Sequence, residues 1–189
     1  MPAYQGNDLQ MTIPLDHQLI GRRLVLRRFA ESDAVAAHAI LADREVARWL
    51  RRAKFPARAD ETAAWIRQHE SEWVSGTAYR FAVCLEGRVL GCADVADISS
   101  GIGVLGYWLE QASWGRGFAG EAACLVRDFA FQHAGLHRIV AGHAAGNVAS
   151  GRILLRAGFE PTGDDVLYYP LLDRRLPYRR YALDIDRSR

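Results

Sequence analysis

Hydrophobic and polar positions along the chain switch between two periods. Residues 23–29 (RLVLRRF) alternate apolar and basic side chains, the pattern of a strand with one face buried. Residues 1–20 hold no sustained period and read as an N-terminal arm or lead-in to a single domain over 21–186. Ser32 stands where it would cap a helix over 33–41, and Asp43 where it would cap a shorter one reaching Leu50. Asp60 and Glu61 open a third helix with carboxylates at the positive end of its dipole, and Gly76 closes it. Two strand-like runs, 79–85 and 88–98, flank Glu86-Gly87 and predict an antiparallel hairpin. After the turn at Gly101 and Gly103, residues 104–109 (VLGYWL) read as a buried strand. The stripe of Ala122, Leu125, Val126, Phe129 and Ala130 then predicts an amphipathic helix over 117–134, ended by Gly135. A strand over 138–143, a helix over 148–157 stopped by Gly158, and two strands within 166–185 complete the chain.

This order predicts an α/β fold: a central mixed sheet, mostly antiparallel, with a parallel pair near its middle where a helix crosses over, and flanking helices. With 189 residues, half of them hydrophobic and 24% charged, the chain has the balance of one globular domain. A formal charge of +2 argues against nucleic acid and membrane as partners. Two local basic groups stand out, Arg51, Arg52 and Lys54, and Arg174, Arg175, Arg179 and Arg180; they read as solvated surface or as contacts to a phosphate or an acidic partner. Three scattered cysteines fit neither a disulfide framework nor a metal site and suit a reducing cytosol. No apolar run reaches the roughly 18 residues of a membrane span and no signal-peptide order is present, so a cytoplasmic location is expected.

The most informative segment runs Trp114-Gly115-Arg116-Gly117-Phe118-Ala119-Gly120-Glu121-Ala122, a glycine-rich turn between a strand and a helix start. Glycines let a ligand approach the backbone, and free N–H groups at a helix N-terminus attract anions such as a pyrophosphate. Neither the Walker spacing nor the dinucleotide fingerprint is met, and a tight turn for helix packing explains the glycines equally well.

Trp114 to Ala119 resembles the Gln/Arg-x-x-Gly-x-Gly/Ala signature of the GNAT acetyltransferase superfamily, with Trp at the first position as in its ribosomal-protein N-acetyltransferase branch, where Glu-Ala also follows. Arg23-Leu24-Val25-Leu26-Arg27, Gly106-Tyr107-Trp108-Leu109, Gly135-Leu136-His137-Arg138-Ile139 and Asn147-Val148-Ala149-Ser150, with Leu154 to Phe159 after it, resemble further segments of that branch in the same order. The resemblance implies a GNAT fold in which the strand at 104–109 parts from the one at 138–143, with a pantetheine arm in the gap. It implies acetyl-CoA as co-substrate, no metal, and direct acetyl transfer to a primary amine, foremost a protein N-terminus. A small-molecule amine, or binding of acetyl-CoA without catalysis, is the alternative. A monomer or homodimer is expected.

Carried onto this sequence, the resemblance implies that Leu109 and Gln111 contact pantetheine through their backbones. Gly115, Arg116, Gly117, Phe118, Ala119 and Gly120 cradle the pyrophosphate, Asn147 bonds the cofactor's amide chain, and Arg156 meets the 3′-phosphate or solvent. Ser150 is implied near the sulfur as a proton donor to the thiolate, or else is a polar residue in a helix turn capped by Asn147. A neutral amine is needed for attack, so a base must act. Glu110 is the first candidate, with Asp94, Asp97 and His143 as alternatives, and each also has a bland reading as a surface or locally bonded side chain. Trp49, Trp65 and Trp73 read as core, or as walls of an acceptor cleft.

Overall fold

The structure, a computed structural model, describes residues 13–185. The segment expected to be an arm lies outside the described residues over 1–12; further on, β1 (Leu19–Ile20) already pairs antiparallel with β2 (Val25–Arg28). Three helices follow, α1 (Ala34–Leu41), α2 (Arg44–Ala47) and α3 (Ala59–Ser75). The predicted hairpin is β3 (Tyr79–Leu85) and β4 (Arg88–Ser99), continued by β5 (Ile102–Leu109). Then come α4 (Phe118–Gln132), β6 (Arg138–Ala144), α5 (Val148–Arg156), β7 (Glu160–Tyr169) and β8 (Arg174–Asp184). Among the described residues, eight strands form one sheet in the order β1-β2-β3-β4-β5-β6-β8-β7, antiparallel except for the parallel pair β5–β6.

Local chemistry explains most element ends. Gly76 closes α3 in a left-handed conformation at φ 67°, and Asp43 caps α2 by accepting from the Glu45 N–H at 2.8 Å. The expected cap at Ser32 is not formed. Asp33 stands at the N-cap of α1 without capping it; its carboxylate turns back to accept from the Ala30 N–H at 2.8 Å while a bidentate Arg27 holds it. Helix α2 stops at Ala47, short of the predicted Leu50, and β7 begins at Glu160, ahead of the predicted Val166. The start of β7 (EPTGDD) is exposed at the sheet edge, so neither face imposes the alternation by which a strand is read.

The sheet buries both faces. On one, Phe81, Val83, Val95, Leu105 and Ile139 pack beneath α4 and α5. Phe129 of α4, 1% exposed, meets Tyr79 and Phe81 edge-on at 5.1 Å and fixes the helix on the strands; truncating it to Ala would cost about 3–5 kcal/mol. On the other face a smaller cluster of Phe29, Ala37, Ile66, Ala82 and Cys92 holds α1 and α3. Side chains alternate along each strand, so neighbours in sequence report to opposite faces. On β5, Leu105, Tyr107 and Leu109 belong to the α4–α5 side, whereas Trp108 belongs to the α1–α3 side.

Candidate active site

The parallel pair β5–β6 is paired only over Ile102–Val104 and Arg138–Val140. Beyond it β5 runs on to Leu109 and β6 to Ala144 with no ladder between them. A sheet that parts in its middle exposes two strand edges, and a cleft of about 760 Å³ opens there. Its walls come from both faces: Tyr107, His143, Asn147, Ser150 and Leu154 from the α4–α5 side, and Trp65, Arg80, Asp94, Gly106 and Trp108 from the α1–α3 side.

Two features define the α4–α5 side. Asn147 caps α5, its side-chain oxygen accepting from the Ser150 N–H at 3.3 Å, which leaves its NH₂ free for a further partner. Ser150 Oγ lies 2.8 Å from the Tyr107 hydroxyl, which also donates to the Ser150 carbonyl at 3.2 Å. This contact spans the gap from β5 to α5. Burial pushes the Tyr107 phenol up to about 12, so it stays protonated and available as a donor.

The glycine-rich turn lies outside this cleft, at the start of α4. Gly115 and Gly117 have φ of 72° and 81°, left-handed values that favour glycine, and no side chain caps the helix. The first-turn N–H groups are therefore free for an anion. A built frame holds them in place: Glu121 accepts from the N–H groups of Arg23 at 2.7 Å and Leu24 at 3.2 Å and pairs with the Arg23 guanidinium at 2.9 Å. Arg23 in turn donates to the Arg116 carbonyl at 2.9 Å, and both guanidinium groups lie against the Phe118 ring, at 4.6 and 4.8 Å. Open backbone donors flanked by two arginines fit a pyrophosphate.

On the α1–α3 side Arg80 donates to Asp94 Oδ2 at 2.7 Å and to both Glu72 oxygens, at 2.7 and 3.1 Å. Asp94 Oδ1 lies over Gly106, where a Cβ would stand 2.6 Å away, so only glycine admits this approach. The Asp94 side chain is 14% exposed, and burial raises its carboxyl above the usual value despite the Arg80 charge. Asp97, with φ 53° at the register shift in β4, binds Arg52 in a bidentate pair that lowers its carboxyl.

The structure thus brings Ser150, Asn147, Asp94, Asp97 and His143 to one cleft, with Trp49 and Trp65 in its wall. Trp73 is core, 3% exposed, its indole donating to the Ile13 carbonyl. His143 is 6% exposed and packed on Tyr181, with Nδ1 at 2.7 Å from the Ala144 carbonyl. Glu110 is not among the cleft-lining residues. It pairs with Arg88 at 2.7 Å and accepts from Ser113, and the Arg88 hydrogen bonds hold its carboxyl below the usual range, which makes it a weak base. Gln111 is exposed and Leu109 buried near the turn; the Leu109 carbonyl accepts from the Trp114 indole at 2.9 Å. Arg156 is exposed at the end of α5. Sequence reasoning assigned no role to Tyr107, Arg80, Glu72 or Arg23. A lone arginine in the apolar run YRFAVCL and a lone aspartate in GCADV, on two strands of one hairpin, were the available signal for the Arg80–Asp94 pair.

Residues 23–160 match the model of the acetyltransferase (GNAT) domain family. The probable N-acetyltransferase YjcK of Bacillus subtilis (strain 168) is 33% identical over 103 residues, which cover 52% of this chain and 57% of that protein. The match therefore spans little more than half the length of that relative. Among solved structures, the RimL ribosomal L7/L12 alpha-N-protein acetyltransferase in complex with coenzyme A has a TM-score of 0.82 at 19% identity, covering 90% of this chain and 99% of that one. The ribosomal-protein-S5-alanine acetyltransferase from Vibrio fischeri also has a TM-score of 0.82, at 21% identity, covering 92% and 100%. At such identities these two likenesses speak for the fold.

Proposed function

The chain belongs to the GNAT acetyltransferase family, and from that premise we propose that it transfers the acetyl group of acetyl-CoA directly to the α-amine at a protein or peptide N-terminus. The observation that carries this reading is the cleft at the parted β5–β6 pair, which offers a hydroxyl pair on one side and a buried carboxylate on the other. When bound, acetyl-CoA supplies an activated thioester. Gly115 to Gly120 and Arg116 receive its pyrophosphate, Leu109, Gln111 and Asn147 its pantetheine arm, and Arg156 is left to the 3′-phosphate or solvent.

Ser150 Oγ is the proton donor toward the leaving sulfur, and the Tyr107 hydroxyl, 2.8 Å behind it, orients that proton and stabilises the serine oxygen as it gives it up. Asp94 Oδ1 is the proton acceptor for the incoming ammonium, directly or through one water. Arg80 holds Oδ2, so the two oxygens have separate tasks, and the raised carboxyl lies closer to working pH than an ordinary aspartate. Glu110, bound to Arg88 and Ser113, keeps the turn before α4 in shape.

Charge supports this acceptor class. A polyamine or aminoglycoside site needs free carboxylates, yet Glu61, Glu72, Asp94 and Asp97 in the cleft wall are each bridged by a basic side chain of the chain itself. The solved relatives named for ribosomal-protein acetylation support a peptide terminus. No described helix is long and apolar enough to cross a membrane. Titration with acetyl-CoA, followed by thiol release against N-terminal peptides, free amino acids and polyamines, tests the proposal. Saturable binding with turnover highest for peptides is expected; binding with turnover confined to small amines would move the acceptor, and absence of binding would end the reading.

A further inference from the structure

Five cationic side chains and four carboxylates line the cleft, and the pairing among them is uneven. Arg52 binds Asp97, Lys54 binds Glu61, and Arg80 bridges Glu72 and Asp94, while Arg58 pairs with Asp60 just outside. Arg51 has no carboxylate within salt-bridge distance among the described residues. Its guanidinium instead stands 5.7 Å from the centre of the Tyr178 ring, also a cleft residue. A guanidinium held over an aromatic face keeps its N–H fork free for a planar or tetrahedral anion.

The surroundings of Arg51 suit the same ligand. Tyr178 pairs with Ala144 at the end of β6, which puts it beside the parted strands, and Tyr169 at the end of β7 lines the cleft next to it. Burial raises both phenols, that of Tyr169 to about 12, so each keeps its proton; Tyr178 is half-buried and can donate to an anion, while Tyr169, 2% exposed, borders the cleft from within the core. The carboxylates facing this corner are accounted for: Asp165 of β7 is held by Arg180, and Asp97 across the cleft by Arg52. The cleft therefore has a polarity along its length. A carboxylate suited to receive an ammonium proton, Asp94, lies toward β4, and an uncommitted guanidinium with the Tyr178 phenol beside it lies toward β8.

We propose that Arg51, with Tyr169 and Tyr178, forms an anion-binding corner of the acceptor cleft, and that the preferred acceptor carries a carboxylate or phosphate a few bonds from its reactive amine. This rests on the assignment of the cleft to the acceptor. For a peptide the anion is an Asp or Glu side chain at the second or third residue; for a small molecule it is the carboxylate of an amino acid or a phosphate ester. Arg51 acts on acceptor choice and takes no part in proton transfer.

The test uses pairs of probes that differ only in their anionic groups: amidated hexapeptides beginning Ala-Asp-Asp or Ala-Asn-Asn, alanine against alaninamide, and aminoethyl phosphate against ethanolamine. Binding is read from quenching of the cleft tryptophans and so does not depend on turnover; thiol release is read in parallel. Wild-type protein should prefer the anionic member of at least one pair by about tenfold, the effect of one charge-assisted hydrogen bond. The pair concerned identifies the source of the anion. Arg51→Ala should abolish that preference while leaving the affinity for the neutral member within about twofold, and Arg51→Lys should retain part of it. Equal affinity within every pair, or a preference that survives Arg51→Ala, overturns the proposal. Arg51-dependent binding preference without thiol release from any probe would leave the corner standing and remove the acetyl-transfer reading, so the two failures are distinguishable.

Discussion

Two regions of this protein, the proposed cofactor cradle and the proposed acceptor cleft, are built in different ways. The turn before α4 is made of backbone: Gly115 and Gly117 in left-handed conformations and an uncapped helix start, all within a few consecutive residues. The cleft on the α1–α3 side is made of side chains, from α3, β3, β4, β5, β8 and the segment holding Arg51. A ligand recognised by backbone N–H groups constrains residue types locally. A ligand recognised by side chains constrains only where the fold delivers them. Family membership therefore predicts the first region far better than the second.

The sharpest way to break that contrast is a side chain placed in the backbone cradle. In Gly117→Asp, φ of 81° becomes a strained conformation and a carboxylate sits at the helix N-terminus in place of the ligand's phosphate. Two or more charge-assisted hydrogen bonds are lost, so acetyl-CoA affinity should fall by at least about a hundredfold in calorimetry, with the fold retained by circular dichroism. Arg116→Ala should cost only about fivefold, because the backbone donors remain. If the arginine mattered more than the glycine, the cradle would be a side-chain site after all.

The Ser150–Tyr107 pair belongs to neither region, lying on the α4–α5 side of the cleft, and removing it should act on turnover. Ser150→Ala is expected to lower kcat by about a hundredfold and Tyr107→Phe by about tenfold, with acetyl-CoA affinity nearly unchanged. The pair also marks the limit of what could be read from the chain. Ser150 is found because it ends the segment Asn147-Val148-Ala149-Ser150 that resembles the family's Asn-x-x-Ser; Tyr107 is not, because its partner lies 43 residues away across a gap that exists only in three dimensions. The Arg80–Asp94 contact was harder still. Counting back from the Glu86-Gly87 turn sets Arg80 opposite Ala93, and the register shift between Val83 and Cys84 moves it to Asp94. One bulge thus decides which acid meets the arginine. The elements themselves were legible where burial was extensive, as in α4 and β3, and were misjudged in extent at α2, where the chain reaches Leu50 only through i→i+3 bonds, and at the exposed start of β7.

Asp94→Asn sharpens the contrast from the acceptor side. The amide keeps the shape over Gly106 and one hydrogen bond with Arg80, but cannot take a proton, so kcat/KM should drop by about thirtyfold with acetyl-CoA binding intact. The sign of the pH dependence follows from burial. The carboxyl lies above its ordinary value and must be ionised to act, so activity of the wild type should fall as pH drops through that raised value, at higher pH than for an exposed aspartate. The acid limb should vanish in the variant. A limb that persists unchanged would assign the proton to another group, with Asp97 and His143 as the alternatives in the cleft.

The smallest effect is expected at Glu110, and that is its value as a control. Its carboxylate is committed to Arg88 and Ser113 and is absent from the cleft wall, so Glu110→Gln should leave kcat/KM within about twofold if catalysis is the work of cleft side chains. What it changes is stability. The Arg88 hydrogen bonds depress the Glu110 carboxyl, so the ion pair stabilises the fold above the ordinary glutamate range and stops doing so as pH falls through the lowered folded value. Arg88 is 59% exposed, so screening limits the gain to about 0.5 kcal/mol. Melting temperatures of wild type and variant should therefore differ by a degree or two at pH 7 and converge as pH falls through that lowered value. A fall in kcat/KM of about thirtyfold or more in Glu110→Gln, with Asp94→Asn unaffected, would transfer the base to the end of β5 and make the acceptor chemistry as local to the glycine turn as the cofactor site is.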